Sequence, residues 1–283
     1  MNEPQGKALF QEIGYEAGFH REQAPTHLDF ALRLHGAAGP SPAEPYHYLE
    51  LGCGQGTTVA MLAAANPDCR FVANDINPEH VRNLRALAAD GGLANLTVIE
   101  AGFAALATAA LPPFDVITMH GVWSWVGETN RREILALVAA RLKPGGIAYV
   151  SYNALPGWSV AAPLQRLLER HVAAESGAIE TRIGRAVALM ETLRGSGAHY
   201  FSANQPASRW LDSLAGKDTG YIVHEYLARN FAAFYAPDVH AAMAEAGLSF
   251  AGTAHIIETS EENGMPAAVP GRSPPRRTAR FGR

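Results

Sequence analysis

The spacing of apolar residues changes along the chain, and the changes predict alternating strands and helices. Short apolar runs rich in Val, Ile and Tyr, which are typical of strands, occur at 46–51 (YHYLEL), 69–75 (CRFVAND), 96–100 (LTVIE), 114–120 (FDVITMH) and 146–153 (GIAYVSYN). Helical stretches lie between them: TTVAMLAAANP, NPEHVRNLRALAADGG with Asn77 as N-cap, and TNRREILALVAARLKPGG, ended by its Lys-Pro-Gly-Gly. This alternation indicates βαβ units, so we expect an α/β fold around a mostly parallel sheet.

The sequences on either side of this region have a different pattern. Upstream, APTHLDFALRLHG predicts a helix with Thr26 as its N-cap. Residues 156–235 have only helical periodicity, which predicts an all-helical insertion, and APDVHAAMAEAGLSFAGTAHIIE then predicts a helix and a strand that rejoins the sheet. We therefore expect an N-terminal helical lid segment at 1–40, a parallel-sheet core at 41–155, a helical cap at 156–235, a return to the sheet at 236–259 and a disordered basic tail at 260–283.

Composition narrows the class of protein. Hydrophobic residues make up 48% of the chain and charged residues 18%, and the net charge is −4 with Lys and Arg scattered, so we expect no nucleic-acid partner. No apolar run is long enough to span a membrane, and the N-terminus has no signal-peptide pattern. Cys53 and Cys69 have no metal-ligand spacing. These features favour a soluble cytoplasmic protein without a metal site.

The glycine-rich stretch ELGCGQG follows the first predicted strand and precedes a helix, the usual place for a nucleotide-like ligand. A dinucleotide fingerprint needs a third glycine at position 57, where this chain has Thr57, and no Walker lysine follows. Asp75 ends the second strand nineteen residues after Gly56, where such folds place an acid on ribose hydroxyls. The pattern therefore fits a ligand with a ribose and no phosphate, and disfavours an NAD-dependent oxidoreductase.

These motifs carry a resemblance to a known family. ELGCGQG, followed by VANDINP, FDVITMHG and LKPGGIAYVSYN, resembles the class I S-adenosylmethionine-dependent methyltransferases. With GYEAGFHRE upstream and HEYLARN downstream, residues 12–258 are similar to one subgroup, which carries a methyltransferase regulatory domain and includes bacterial protein lysine methyltransferases. The resemblance implies a Rossmann-like, doubly wound sheet and S-adenosylmethionine as cofactor. The tail after residue 260 resembles nothing in the family, which suggests an early end, a shifted reading frame or a basic tail for an acidic partner.

The resemblance implies cofactor contacts at the loop and the following strand ends: Glu50, Gly52, Gly54, Gly56, Asp75, Ile76, Gly102, Phe103, His120 and Gly121. The glycines let the backbone approach the methionine and ribose parts. Glu50 orients the loop and reaches the amino group through water, and Asp75 accepts both ribose hydroxyls. Many relatives have an acid after the third strand, but this chain has Gly102 and Phe103, so backbone groups and stacking would recognise the adenine.

Methyl transfer from a sulfonium is a direct displacement, which depends mainly on alignment and needs no metal. We expect His120 beside the methyl group as wall or orienter, although a structural role is equally compatible, and Asn153 either turns its amide to the acceptor or caps the strand. Four aromatic residues near the site predict a pocket for a cationic or planar acceptor, with core packing as the alternative for each: Trp123, Trp125, Tyr152 and Trp158. The candidate catalytic residues are His120, Trp123 and Asn153.

Two further features have weaker interpretations. Tyr15 and Phe19, at i and i+4, predict either a lid over the cofactor or a docking helix. His224-Glu225 has no second ligand at i+4, where Ala228 lies, so we interpret the pair as structural. The main prediction is transfer of a methyl group from S-adenosylmethionine to a protein lysine or a small molecule. The alternative is a catalytically inactive regulator or scaffold that binds the same cofactor.

Overall fold

The computed structural model describes residues 18–228 and 230–256. Tyr15, the tail at 260–283 and the last residues of the segment at 236–259 lie outside this range, as does the side chain of His224. In the described part of the chain, no helix is both long and apolar enough to cross a membrane.

A parallel sheet of five strands forms the centre of the described residues: β1 His47–Leu51, β2 Arg70–Asp75, β3 Leu96–Glu100, β4 Phe114–Met119 and β5 Leu142–Val150. Their order is β3-β2-β1-β4-β5, and every neighbouring pair is parallel. The chain changes direction between β1 and β4, so the carboxyl ends of these strands form the crevice where open α/β sheets bind ligands. The predicted Rossmann-like fold is confirmed.

Helices cover both faces of the sheet: α1 Pro25–Leu34, α2 Thr57–Ala65, α3 Pro78–Asp90, α4 Phe103–Thr108 and α5 Glu128–Arg141. Val59 and Leu84 are buried on one face with Tyr48, and Leu137 is buried on the other with Ile117. The Asn77 N-cap is confirmed, because its Oδ1 accepts the Glu79 N–H at 2.9 Å. This cap fixes where α3 begins, directly after the acid that ends β2.

The helical insertion is confirmed. It comprises α6 Ala162–Ala174, α7 Ile179–Gly195, α8 His199–Ala203, α9 Gln205–Leu214 and α10 Thr219–Tyr226. These helices share a core of their own that includes Leu168, Met190 and Val223. A short parallel ladder, β6 Ala154–Leu155 with β7 Phe234–Tyr235, joins the two ends of this cap. Helix α11 Ala236–Glu245 then returns to the sheet and buries Val239 and Met243 in its core.

Three details differ from the sequence-based expectations. Helix α1 begins at Pro25, and Ala24 stands at its N-cap without a side-chain bond, since proline is preorganised for the first turn; the Thr26 cap was wrong. Strand β5 already begins at Leu142, with a register shift opposite Phe114, and ends at Val150. The predicted strand after α11 was also wrong for the described residues, because 246–256 contain no strand.

Candidate functional site

The glycine loop between β1 and α2 has no side chain at three of its positions. Gly52, Gly54 and Gly56 have φ values of 64°, 55° and 74°, a left-handed conformation that favours glycine. A Cβ on Gly52 would lie 2.6 Å from Cγ2 of Val122, and one on Gly56 would lie 2.5 Å from the methyl groups of Leu84. The neighbouring side chains therefore already fill the space that larger residues would need.

Asp75 ties this loop to the end of β2. Its Oδ2 accepts the Gly54 N–H at 2.9 Å, and its Oδ1 accepts the Asn77 N–H at 2.8 Å. A carboxylate has about four lone-pair sites, so both oxygens keep capacity for further donors. Asp75 is 9% exposed and adjoins the loop. The position and free acceptor capacity fit the predicted contact with two ribose hydroxyls.

Glu50 lies beneath the loop and is 4% exposed. Its Oε1 accepts a hydrogen bond from Nε2 of Gln23 at 3.1 Å, whereas Oε2 has no hydrogen-bond partner among the described residues. Burial is the main reason why the pKa of Glu50 rises to about 8, and the charge of Asp75 raises it further. The hydrogen bonds from Gln23 and from the Val59 amide act in the opposite direction and lower this pKa. A buried, orphaned carboxyl oxygen beside the loop fits a cationic amino group or a bridging water.

Residues 18–23 lie over the start of α2. The His20 N–H donates to Oγ1 of Thr58 at 3.0 Å, and the Thr58 hydroxyl donates to the Gly18 carbonyl at 3.3 Å. The Gln23 bond to Glu50 fixes the other end of the segment. Phe19 is 45% exposed and is not in a helix. The segment thus contacts the site through His20 and Gln23, which the sequence reasoning did not single out.

His120 follows β4 and stacks on His20, with ring centroids 3.8 Å apart and an interplanar angle of 18°. Its Nδ1 lies 3.1 Å from the Tyr149 hydroxyl. Burial, and secondarily the neighbouring His20, lower the pKa of His120 to about 4. Gly121 has φ 63°, and its N–H donates to Oγ of Ser151 at 2.8 Å. His120 is therefore a neutral ring at neutral pH, held between His20 and Tyr149 of β5.

The expected adenine side combines one exposed and one packed residue. The Ile76 side chain is 70% exposed. A Cβ on Gly102 would meet its Cδ1 at 3.8 Å, so the two residues adjoin. Phe103 opens α4 and packs against the core of the sheet. Ile76 therefore offers an apolar surface at this edge, and Gly102 keeps the neighbouring backbone open.

The four aromatic residues that were predicted to form a pocket lie in different surroundings. Trp123 is 2% exposed and lies in the sheet core beside Phe234, away from any open wall. Trp125 and Trp158 both make edge contacts with Phe231, at centroid distances of 5.9 and 5.0 Å. Tyr152 is half-buried against the same core as Trp123. Phe231, which has no motif to mark it, is the residue that brings Trp125 and Trp158 together.

Asn153 lies between the sheet and the cap. Its N–H donates to Oγ of Ser124 at 2.8 Å, and its carbonyl accepts the Phe234 N–H at 3.0 Å. Its side chain hydrogen-bonds the carboxyl of Glu225 on α10. Burial raises the pKa of that carboxyl, while the bond from Asn153 and the charge of Lys217 lower it. In the described residues, no cluster of three or more His, Cys, Asp or Glu side chains is arranged to hold a metal ion.

Comparison with known proteins gives two family matches and similar relatives. Residues 49–148 match the family described as methyltransferase domain, and residues 218–269 match the predicted methyltransferase regulatory domain. An uncharacterized protein of Synechocystis is 36% identical over 247 residues, 87% of this chain and 49% of its own length. An uncharacterized protein of Rickettsia prowazekii is 30% identical, covering 80% of this chain and 40% of its own length. The chain thus spans about half the length of these relatives.

The fold has a clear structural match. The structure of PKMT2 from Rickettsia typhi in complex with AdoHcy has a TM-score of 0.76 and 23% identity, covering 89% of this chain and 48% of the matched one. The two chains share the fold over most of the length described above. Taken with the glycine loop and the acid after β2, the two family matches identify residues 49–148 as a class I S-adenosylmethionine-dependent methyltransferase domain, followed at 218–269 by a match to the predicted methyltransferase regulatory domain.

Proposed function

We propose that this chain binds S-adenosylmethionine at the glycine loop and transfers its methyl group to a nucleophilic acceptor, either a protein lysine or a small molecule. The observation that carries the proposal is the pair of buried acids beside the loop. Asp75 keeps acceptor capacity beyond its two backbone bonds, and Oε2 of Glu50 has no hydrogen-bond partner among the described residues. A ribose and an amino group supply the donors that these oxygens can accept.

Each proposed contact uses a group that is available in the fold. Asp75 receives the ribose hydroxyls with the acceptor capacity left by its two backbone bonds. Glu50 turns its unpartnered Oε2 toward the amino group, directly or through water. Ile76 and the open backbone at Gly102 receive the adenine. The acid that many relatives use for the adenine amino group is replaced here by apolar contact and backbone groups.

The chemistry requires alignment more than acid–base catalysis. When bound, S-adenosylmethionine supplies an electrophilic methyl group that an acceptor lone pair displaces from sulfur. His120 forms an orienting wall, held by His20 and Tyr149. Its low pKa keeps the ring neutral, so that it does not repel a neighbouring cation. Trp125 and Trp158 supply aromatic surface on the acceptor side, whereas Trp123, being buried, is left out of this role.

Calorimetric titration of the chain with S-adenosylmethionine, with S-adenosylhomocysteine, and with NAD as a control tests the proposal. We expect binding of the first two ligands only. Asp75→Ala removes hydrogen bonds to a charged group, so its affinity should fall by about 2–3 kcal/mol, or roughly 30- to 150-fold. Asp90→Asn, at the exposed end of α3, is the control and should bind like the wild type.

Transfer itself is measured with a tritiated methyl group and a panel of amine, hydroxyl and thiol acceptors. Labelling of any acceptor supports the enzyme. Tight cofactor binding without labelling would favour the inactive regulator or scaffold instead. Absence of cofactor binding would contradict both.

A further inference from the structure

Glu225 is an acidic residue that the cofactor site does not use. It lies near the end of α10, is half-buried under the cap, and accepts a hydrogen bond from the side chain of Asn153. The backbone of Asn153 is already fixed by Ser124 and Phe234, so its amide group is free to orient the carboxyl. The cap thus contributes a positioned carboxyl to the carboxyl edge of the sheet.

The carboxyl lies among the loops that carry the reaction-side residues. Ser124 belongs to the loop after β4, four residues beyond His120, and Asn153 follows β5 by three residues. The two loops are joined twice, by Gly121 to Ser151 at 2.8 Å and by Asn153 to Ser124 at 2.8 Å. A group on the Asn153 amide is therefore next to the same pair of loops as His120.

Aromatic rings lie on the helix that carries Glu225 and on the neighbouring loops. Trp158 contacts Tyr226, the residue next to Glu225, with ring centroids 6.1 Å apart, and it also contacts Phe231. Trp125 contacts Phe231 from the β4 loop. Aromatic faces attract organic cations, so rings on these loops would add to the attraction of the Glu225 carboxylate for a cation. Lys217 attracts the carboxyl as well, but its Nζ lies over the Tyr221 ring at 4.4 Å.

A purely structural role explains less of this arrangement. An amide in place of Glu225 would form the same hydrogen bond with Asn153 and join cap to sheet without burying a charge. Burial raises the pKa of the Glu225 carboxyl, which shows that the fold works against the charged form. A cationic partner would compensate for this burial.

Building on the proposed function, we propose that Glu225, oriented by Asn153, forms the subsite that receives the cationic amino group of the methyl acceptor, and that the acceptor is an amine such as a lysine side chain. A carboxylate that pairs with an ammonium group also offers an acceptor for the proton that the nitrogen must lose before its lone pair can react. Hydroxyl, thiol and carboxylate acceptors would gain nothing from this charge.

The test uses two peptides that differ only in a central lysine or norleucine, titrated calorimetrically into the chain with and without S-adenosylhomocysteine. We expect the wild type to prefer the lysine peptide. Glu225→Gln keeps a partner for Asn153 and removes the charge, so its affinity for the lysine peptide should fall about tenfold to a hundredfold, with no change for norleucine. Glu225→Asp should restore part of the loss, and Glu180→Gln, exposed on α7, should change nothing.

The outcomes separate this inference from the proposed function. Equal affinity for the two peptides, no binding of either, or an unchanged Glu225→Gln variant would overturn the amine subsite, even if S-adenosylhomocysteine binds normally. Failure of S-adenosylhomocysteine to bind would contradict the proposed function, while the lysine preference, measured without it, would still decide the subsite. Circular dichroism of each variant checks that the fold is retained.

Discussion

The cofactor side and the proposed acceptor side of this molecule are built in opposite ways. The glycine loop and Asp75 come from two consecutive strands, and backbone groups form most of the contacts. The proposed acceptor side brings together Trp125, Asn153 and Glu225, which are spread over a hundred residues, through ring contacts and side-chain hydrogen bonds. The cofactor side therefore depends on local geometry, whereas the proposed acceptor side depends on how a separate helical unit meets the sheet.

A substitution in the glycine loop gives the largest expected effect. Gly56→Ala places a Cβ 2.5 Å from Leu84 at φ 74°, so left-handed strain and overpacking together should lower the free energy of unfolding by about 2–5 kcal/mol. Cofactor binding should be lost with it. Gly92→Ala has a similar φ of 62° but no neighbour within 4 Å, and should lose only about 1–2 kcal/mol. If urea unfolding showed the same loss of stability for Gly56→Ala and Gly92→Ala, the close packing of Leu84 against Gly56 would not matter for stability.

The buried Glu50 should make stability depend on pH. Its pKa is about 8 in the folded chain, against 4.5 as the ordinary value. Between these two values the folded state holds a proton that the unfolded state has lost, so the free energy of unfolding falls as the pH rises through this window. Below pH 4.5 the contribution is fully present, and above about pH 8 its loss is complete.

Glu50→Gln isolates this effect. Between about pH 5.5 and pH 8 the free energy of unfolding, measured with urea, should fall by about 3 kcal/mol more in the wild type than in the variant. If the free energy of unfolding had the same pH dependence in the wild type and in Glu50→Gln, the Glu50 carboxyl would not be buried in its neutral form. Cofactor titrations over the same pH range would sharpen the comparison, because a bound amino group should convert Glu50 to its charged form and release a proton.

The smallest effect is expected at His20, in the segment of residues 18–23. His20→Ala removes the ring stacked on His120, a contact of about 1 kcal/mol, and leaves the backbone bond to Thr58 in place. The pKa of His120 should rise from about 4 toward 6.5, since burial and the neighbouring ring both lower it. Histidine titration by NMR measures this shift. His240→Ala removes a comparable stack on Phe250 elsewhere and should leave His120 unchanged.

Local spacing explains what could be predicted from the sequence. The positive φ of three alternating glycines, the acid at the end of β2 and the Asn77 cap each depend on residues a few positions apart. Strand and helix order follows from apolar periodicity in the same way. These features fix the sheet and the cofactor side of the site.

Packing across long sequence distances explains what could not be predicted. The sequence shows that positions 123 and 125 are both tryptophan and gives no means of telling them apart. Only the folded structure shows that Trp123 is buried in the core and that Trp125 contacts Phe231. His20 and His120 are a hundred residues apart and carry no shared motif. Likewise, the lack of a second ligand at i+4 led us to interpret Glu225 as structural, and nothing in the sequence indicated its hydrogen bond to Asn153.

The short ladder of β6 and β7 has a consequence for how such enzymes diversify. The cap begins after Leu155 and ends at Tyr235, and these two residues are paired neighbours in the ladder of β6 and β7. A unit whose entrance and exit coincide can be lengthened, shortened or exchanged for another without pulling on the strands that hold the cofactor. On the proposed assignment, replacing this one insert would exchange the acceptor site and leave the cofactor-binding half of the molecule unchanged.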